Sequence, residues 1–206
     1  MIAIVDYKMG NLGSIANMLK KIGEQAIVTS DISVIEKAEK LILPGVGAFN
    51  NGMVNLERLG LLPVLNRKTL EDRIPVLGIC LGMQLLTKGS EEGDLPGLGW
   101  IDGETVKFKF DGSQSNLKIP HMGWNSVTIR QRNGIFEDMD GESRFYFVHS
   151  YYVRCNHESD VLATTQYGHD FASSVRRGNI MGTQFHPEKS HKFGTMVFRN
   201  FVKIGC

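Results

Sequence analysis

The chain has 206 residues, of which 42% are hydrophobic and 22% charged, with a formal net charge of +1 at pH 7. This length supports a single domain, 1–206, with a substantial core. The balanced charge gives no reason to expect nucleic acid or a membrane surface as a partner, and no apolar run reaches spanning length.

Met1 leads directly into the strand-like run Ile2 to Asp6, without a basic n-region, so no signal peptide is expected. Leu12 to Ile22 has helical spacing, with Asn11 as its cap. A short strand over Ala26 to Val28, a helix over Ser33 to Ala38 and a buried strand from Lys40 to Leu43, ending at Pro44-Gly45, come next. Phe49 to Leu59 and Leu61 to Leu70 read as helices, and Ile74 to Ile79 as a buried parallel strand. Strands alternating with helices imply a parallel sheet with right-handed crossovers. The second half is richer in strands: Thr105 to Phe110, Trp124 to Ile129, Phe145 to Val153, Val161 to Tyr167, Phe171 to Val175 and Ile180 to Phe185. Many of these alternate polar and apolar residues, as half-exposed antiparallel strands do. A helix over about Phe193 to Val202 closes the chain. The expected fold is α/β: a mostly parallel central sheet flanked by helices, with an antiparallel, strand-rich part in the second half. Ligands of such sheets gather beyond the carboxyl ends of the strands. Cys80, the turn Pro44-Gly45-Val46-Gly47 and the segment Gln184 to Glu188 all follow strands, so they are expected to converge on one edge.

Cys80 carries the clearest chemistry. It ends a buried strand, has glycines two residues before and two after it, and precedes a helical pattern. That is the cysteine form of a nucleophile elbow, a sharp strand-to-helix turn that presents the reactive atom. Side chains at Gly78 and Gly82 would crowd so tight a turn, and a following helix N-terminus favours a thiolate. A lone cysteine at a strand end is more often buried and inert, so the downstream partners matter. In Gln184-Phe185-His186-Pro187-Glu188 a strand ends at a histidine, and a carboxylate follows two residues on. Pro187 stiffens the spacing. A base beside a thiol, itself oriented by an acid, is the general triad arrangement, with Cys80, His186 and Glu188 as the catalytic candidates. The glycine turn leaves backbone N–H groups of Val46 and Gly47 accessible. With the N–H of Leu81 they could form an oxyanion hole. A phosphate cradle is the other reading of that turn, but it lacks the length and the Lys-Ser/Thr of a P-loop. The cysteines, Cys80, Cys155 and Cys206, have no CxxC spacing, and His186 and His191 are poorly spaced for zinc. Neither a metal nor a cofactor is called for, and a reduced cytoplasm is the expected compartment.

Gly78-Ile79-Cys80-Leu81-Gly82-Met83-Gln84 together with His186-Pro187-Glu188 resembles the triad, or class I, glutamine amidotransferases. Pro44 to Phe49, Pro120-His121-Met122-Gly123-Trp124-Asn125, Phe147 to Tyr151 and Asp6 to Leu12 are similar to the glutaminase subunits in that family that serve a (β/α)8-barrel synthase of histidine biosynthesis. The resemblance spans Ile2 to about Val202. It implies that glutamine is hydrolysed to glutamate and ammonia, and that Gly47, Gln84, Glu92 and the stretch containing His149 and Ser150 hold the substrate. It also implies that the ammonia passes to the barrel subunit, which makes imidazole glycerol phosphate and an aminoimidazole carboxamide ribotide. Asn11, His121, Trp124, Asn125, Tyr146 and Lys189 are the implied contacts with that partner. Glu92 alone reads equally well as a solvated loop charge, Gln84 as a polar helix residue, and Trp124 as core. One alternative keeps the glutaminase and changes the acceptor to a surface-polysaccharide sugar. A different Cys-His hydrolase and a non-catalytic scaffold are more distant readings, opposed by the Pro120-to-Asn125 loop and the intact triad set respectively.

Overall fold

The computed structural model describes residues 1–110, 116–139 and 142–205, so Cys206 lies outside the described residues. Among them eleven strands join in one sheet: β1 (Ile2–Val5), β2 (Ala26–Thr29), β3 (Lys40–Gly45), β4 (Val76–Cys80), β5 (Gly103–Lys107), β6 (His121–Ile129), β7 (Ser143–His149), β8 (Tyr151–Cys155), β9 (Val161–Tyr167), β10 (His169–Arg177) and β11 (Ile180–Thr183). The main path runs β2-β1-β3-β4-β11-β10-β9-β6-β7, with β8 paired to β10 and β5 to β8. β2, β1, β3, β4 and β11 are mutually parallel, and the remaining pairings are antiparallel. The α/β expectation and its division into a parallel and an antiparallel part therefore describe this sheet.

Successive residues of a strand face opposite sides of the sheet, and here both sides are covered. Ile2 and Ile4 of β1, Ile42 of β3 and Leu77 and Ile79 of β4 enter one core with Val197, Phe198 and Phe201 of α6 (His191–Lys203) and Ile15 and Leu19 of α1 (Leu12–Lys21). Ala3, Val5, Leu41, Leu43 and Val76 enter the other, under α2 (Ile32–Glu36), α3 (Phe49–Arg58), α4 (Leu61–Asn66) and α5 (Leu81–Leu85). Burial on both faces explains why these strands read as continuous apolar runs. Asn11 caps α1, accepting from Ser14 N at 3.4 Å.

β5 lies earlier than the expected Thr105 to Phe110, β6 begins at His121 rather than Trp124, and β11 ends at Thr183, short of the expected Phe185. Three further differences have a clear physical reason. β3 runs on through Pro44 to Gly45, because β1 pairs with it only as far as Ile42 while β4 pairs with it to Gly45. The missing N–H of Pro44 therefore falls on an unpaired side. The expected helix Leu61 to Leu70 becomes α4 followed by a wider π-turn, Arg67–Glu71, in which buried Lys68 meets Asp72 at 2.7 Å. The expected strand Phe145 to Val153 breaks at Ser150, since β7 pairs with β6 whereas β8 pairs with β5 and β10.

Candidate active site

The parallel strands deliver the chemistry to one edge. In register, Gly45 of β3 lies beside Cys80 of β4, and Thr183 of β11 beside Ile79. Cys80 itself has φ +53° and ψ −108°, a sparsely populated conformation costing on the order of 1–3 kcal/mol for a residue with a Cβ. Its neighbours must be small. A Cβ on Gly78 would sit 2.8 Å from the Gly82 carbonyl carbon, and one on Gly82 would run into the Leu43 carbonyl oxygen. α5, which follows, has only five residues, so its dipole is that of little more than one turn, less than the sequence suggests. Leu81 lies in that first turn, where N–H groups lack intrahelical partners.

Opposite the sulfur stands His186. Its Nδ1–H donates to Glu188 Oε1 at 2.7 Å, and both side chains are buried, 1% and 2% exposed. That bond leaves Nε2 as the nitrogen available to the thiol. Nε2 has no hydrogen-bond partner, nor has Glu188 Oε2. Cys80 acts on the protonation of the ring, yet no hydrogen bond to Nε2 is formed, as catalytic contacts are often long before substrate binds. Burial pushes the His186 pKa down, but the Cys80 sulfur and then the Glu188 carboxylate outweigh it, and the net shift is upward. The backbone around the base is pinned: His186 N donates to Tyr146 O at 2.9 Å, and Ser190 Oγ donates to His186 O at 2.6 Å.

A cleft of about 210 Å³ opens over Cys80. That is below the roughly 300–1,000 Å³ of pockets for drug-sized ligands and suits an amino acid. A roomier cleft of about 300 Å³, lined by Arg130, Gln131 and Glu158, contains no cysteine. Val46, Gly47, Leu81, Gln84, Glu92, His149 and Ser150 all line the cleft over Cys80. Gly47 has φ +120°, and Val46 is 48% exposed. Glu92 is not simply solvated. Its Oε2 accepts from Phe49 N at 2.9 Å, closing the start of α3, which has no side-chain cap from Ala48. His149 is committed on both ring nitrogens: Nδ1 donates to Tyr151 O at 2.7 Å, and Nε2 accepts from His121 Nδ1 at 3.0 Å. It therefore offers the cleft its ring face and backbone, and no free ring nitrogen. Burial holds both imidazoles neutral, lowering the pKa of His149 to about 3 and of His121 to about 4.

The residues assigned to a partner surface divide. Trp124 and Tyr146 are cross-strand neighbours on β6 and β7, with ring centroids 6.3 Å apart. Trp124 is 40% exposed and stacks on His191 at 5.4 Å, and Lys189 Nζ lies 5.6 Å from the centre of the Tyr146 ring. α1, which Asn11 caps, packs against the Pro187–Lys189 turn. His121 does not belong to that surface. It is 3% exposed, facing inward from β6, with its Nε2 accepting from Asn125 Nδ2 at 3.2 Å. Asn125 is half-buried and spends its other N–H on Gln166 O at 3.0 Å.

Met122, within the Pro120-to-Asn125 stretch that carries the resemblance, is 62% exposed and extends the Trp124 surface. Two residues of this neighbourhood escaped the sequence reading. Tyr7 lies fully buried against Gly45, its hydroxyl unpartnered and its pKa raised by burial and by the charge at Cys80. Gln184, fully buried, donates from Nε2 to Cys80 Sγ at 3.7 Å and accepts from Gln84 Nε2 at 3.2 Å. Its place two residues before His186 was the only hint.

The chain belongs to the class-I glutamine amidotransferase family, whose sequence profile matches residues 3–204. It is 56% identical to the imidazole glycerol phosphate synthase subunit HisH 2 of Methanococcus maripaludis, over 98% of this chain and 99% of that one. It is 48% identical to the subunit of the same name from Pseudomonas aeruginosa, over 99% and 100%. The crystal structure of a glutamine amidotransferase superposes with a TM-score of 0.76 at 19% identity, over 98% of this chain and 97% of that one, a likeness of fold.

Proposed function

We propose that this protein hydrolyses glutamine to glutamate and ammonia with Cys80, His186 and Glu188, and hands the ammonia to a synthase partner of histidine biosynthesis, a (β/α)8-barrel. The observation that carries the reading is a cysteine on a strained elbow at the floor of an amino-acid-sized cleft, beside a buried histidine bound to a carboxylate at 2.7 Å. Cys80 Sγ attacks the carboxamide carbon of glutamine, and His186 Nε2 takes up the thiol proton. The oxyanion that forms is held by N–H groups from Val46 or Gly47 and from Leu81. His186 then protonates the leaving nitrogen, ammonia departs and a thioester remains. Water, deprotonated by the same imidazole, releases glutamate and restores the thiol. Glu188 keeps the imidazole in the tautomer whose Nε2 is free and stabilises its charged form.

The acceptor follows from the names and the high identity of the relatives, none of which points to amidation of a polysaccharide sugar. The exposed Trp124, Met122 and Lys189, with half-buried Tyr146 between them, form the face on which the barrel docks to give a heterodimer. Among the described residues no helix is long and apolar enough to cross a membrane, in keeping with a cytoplasmic site of action. The test is ammonia release from glutamine by the assembled complex with Cys80→Ala. The variant should retain less than about 1% of the wild-type rate, since loss of a nucleophile commonly costs several powers of ten. Ammonium salt should still support synthesis by the partner. Residual hydrolysis well above that level refutes the assignment of the nucleophile.

A further inference from the structure

A single backbone carbonyl fixes the direction of a hydrogen-bond chain that ends on the Cys80 sulfur. Tyr151 O is an acceptor only. It receives Gln84 Nε2 at 3.1 Å, so the amide nitrogen of Gln84, not its oxygen, must face this side. The second N–H of that nitrogen reaches Gln184 at 3.2 Å, so Gln184 must turn its oxygen toward Gln84. The Gln184 nitrogen is then forced to the other side, where it lies 3.7 Å from Cys80 Sγ. The same carbonyl takes the Nδ1–H of His149 at 2.7 Å, which makes His149 Nε2 an acceptor and orients His121 and Asn125 in turn. No member of the chain can reverse without leaving a buried polar atom facing its like, which costs the desolvation of an unpaired group.

We propose that Gln184 is a positioning residue for the nucleophile: its carboxamide N–H donates to the Cys80 sulfur and holds it over the cleft floor, while its oxygen ties that geometry to Gln84, which lines the glutamine pocket. This builds on the assignment of Cys80 as nucleophile. Hydrogen bonds to an ionised acceptor are stronger than those between neutral groups. The bond therefore strengthens as the thiol gives up its proton to His186 and weakens as the sulfur enters the thioester. His186 and Gln184 approach the sulfur from the same segment, one to remove the proton and the other to hold what is left. Gln184 is not among the residues that line the cleft, and among the described residues its side chain bonds to Cys80 and Gln84.

Two variants separate the bonds. Gln184→Met keeps the length of the side chain and loses both; Gln184→Glu keeps the acceptor for Gln84 and loses the donor to sulfur. Two readouts are taken on the full chain with its partner: the rate of alkylation of Cys80 by iodoacetamide, followed on the Cys80 peptide, and kcat and KM for glutamine. Gln184→Met should slow alkylation and lower kcat by about tenfold to a hundredfold, the worth of a hydrogen bond to a charged group, with KM changed by less than about threefold. Gln184→Glu should be at least as slow, because its charge opposes a thiolate. Wild-type alkylation and kcat in folded variants would overturn the proposal, and so would a loss of kcat with alkylation unchanged. Slowed alkylation with unaffected glutamine turnover would uphold the placement of Gln184 but sink Cys80 as the nucleophile. If both variants fail to fold, the wild-type chain decides. The side-chain amide proton signals of Gln184 should move when Cys80 is replaced by Ala, and unmoved signals would overturn the proposal.

Discussion

The two sides of the catalytic edge are built differently. The base side is locked: His186 and Glu188 are buried, bonded to one another, and hung from Tyr146 and Ser190 by backbone and hydroxyl contacts. The elbow side is open. Val46 is half exposed, Gly47 sits at φ +120°, and Cys80 stores strain at the end of its strand. The contrast teaches that the His186–Glu188 geometry is set by folding, whereas Val46 and Gly47, the proposed oxyanion donors other than Leu81, lie on an exposed turn. A peptide between glycines turns at little cost, so the donors on 45–47 are the natural point of control by a partner.

The sharpest way to break that comparison is at the locked side. His186→Ala should be about as damaging as Cys80→Ala, on the order of three or more powers of ten in kcat, with Glu188→Ala less so, because triad members act as a unit and the orienting acid often matters least. Single-variant rates check this; a near-normal His186→Ala enzyme removes the base. Next in size is coupling through the open side. Glutamine turnover should rise by about a hundredfold or more from the isolated chain to the complex with acceptor bound, the worth of restoring an oxyanion donor. Equal rates for the chain alone, with the barrel, and with barrel plus acceptor would eliminate control through the turn.

The buried pair His121 and His149 on β6 and β7 and the base His186 should also answer pH in opposite directions. His121 and His149 have lowered pKa values, about 4 and about 3, so the unfolded chain binds more protons than the folded one below about pH 6.5. Their burial then costs stability as pH falls through that window, about 2 kcal/mol for each at pH 5. His186 has a raised pKa, so its contribution is complete below the ordinary histidine value and is lost as pH rises through the raised one. Urea unfolding at pH 5, 6 and 7.5 should show the acid loss, and His149→Gln should flatten it. The smallest effect on the chain itself is expected from Trp124→Ala. At 40% exposure its removal should change stability by no more than about 1 kcal/mol, while partner affinity falls about tenfold or more. Titration of the two subunits measures this, and unchanged affinity would move the docking face elsewhere.

The elbow was legible because its signals are local. Gly78 and Gly82 frame Cys80 within five residues, and the structure gives each a steric reason to be glycine. The inner parallel strands β1, β3 and β4 were legible because burial on both faces leaves no polar alternation to confuse them. What could not be read depends on contacts across the sheet. The break at Ser150 follows from different pairing partners on its two sides. The inward turn of His121 follows from an acceptor on β7, His149, that sequence spacing does not announce. Gln184 sits inside the very motif that exposed His186 and Glu188, yet its task is defined by Tyr151 and Gln84, distant in sequence and adjacent only after folding.

The account rests most heavily on a covalent bond between glutamine carbon and the sulfur of Cys80. Treating the assembled complex with an electrophilic glutamine analogue and mapping the product by mass spectrometry tests that bond directly. Cys155 is the natural control, since burial, followed by Asp160 and Asp102, raises its thiol pKa to about 12. The account predicts one adduct per chain, on Cys80, formed far more slowly in His186→Ala. An unmodified Cys80, or label on Cys155 in its place, would contradict it.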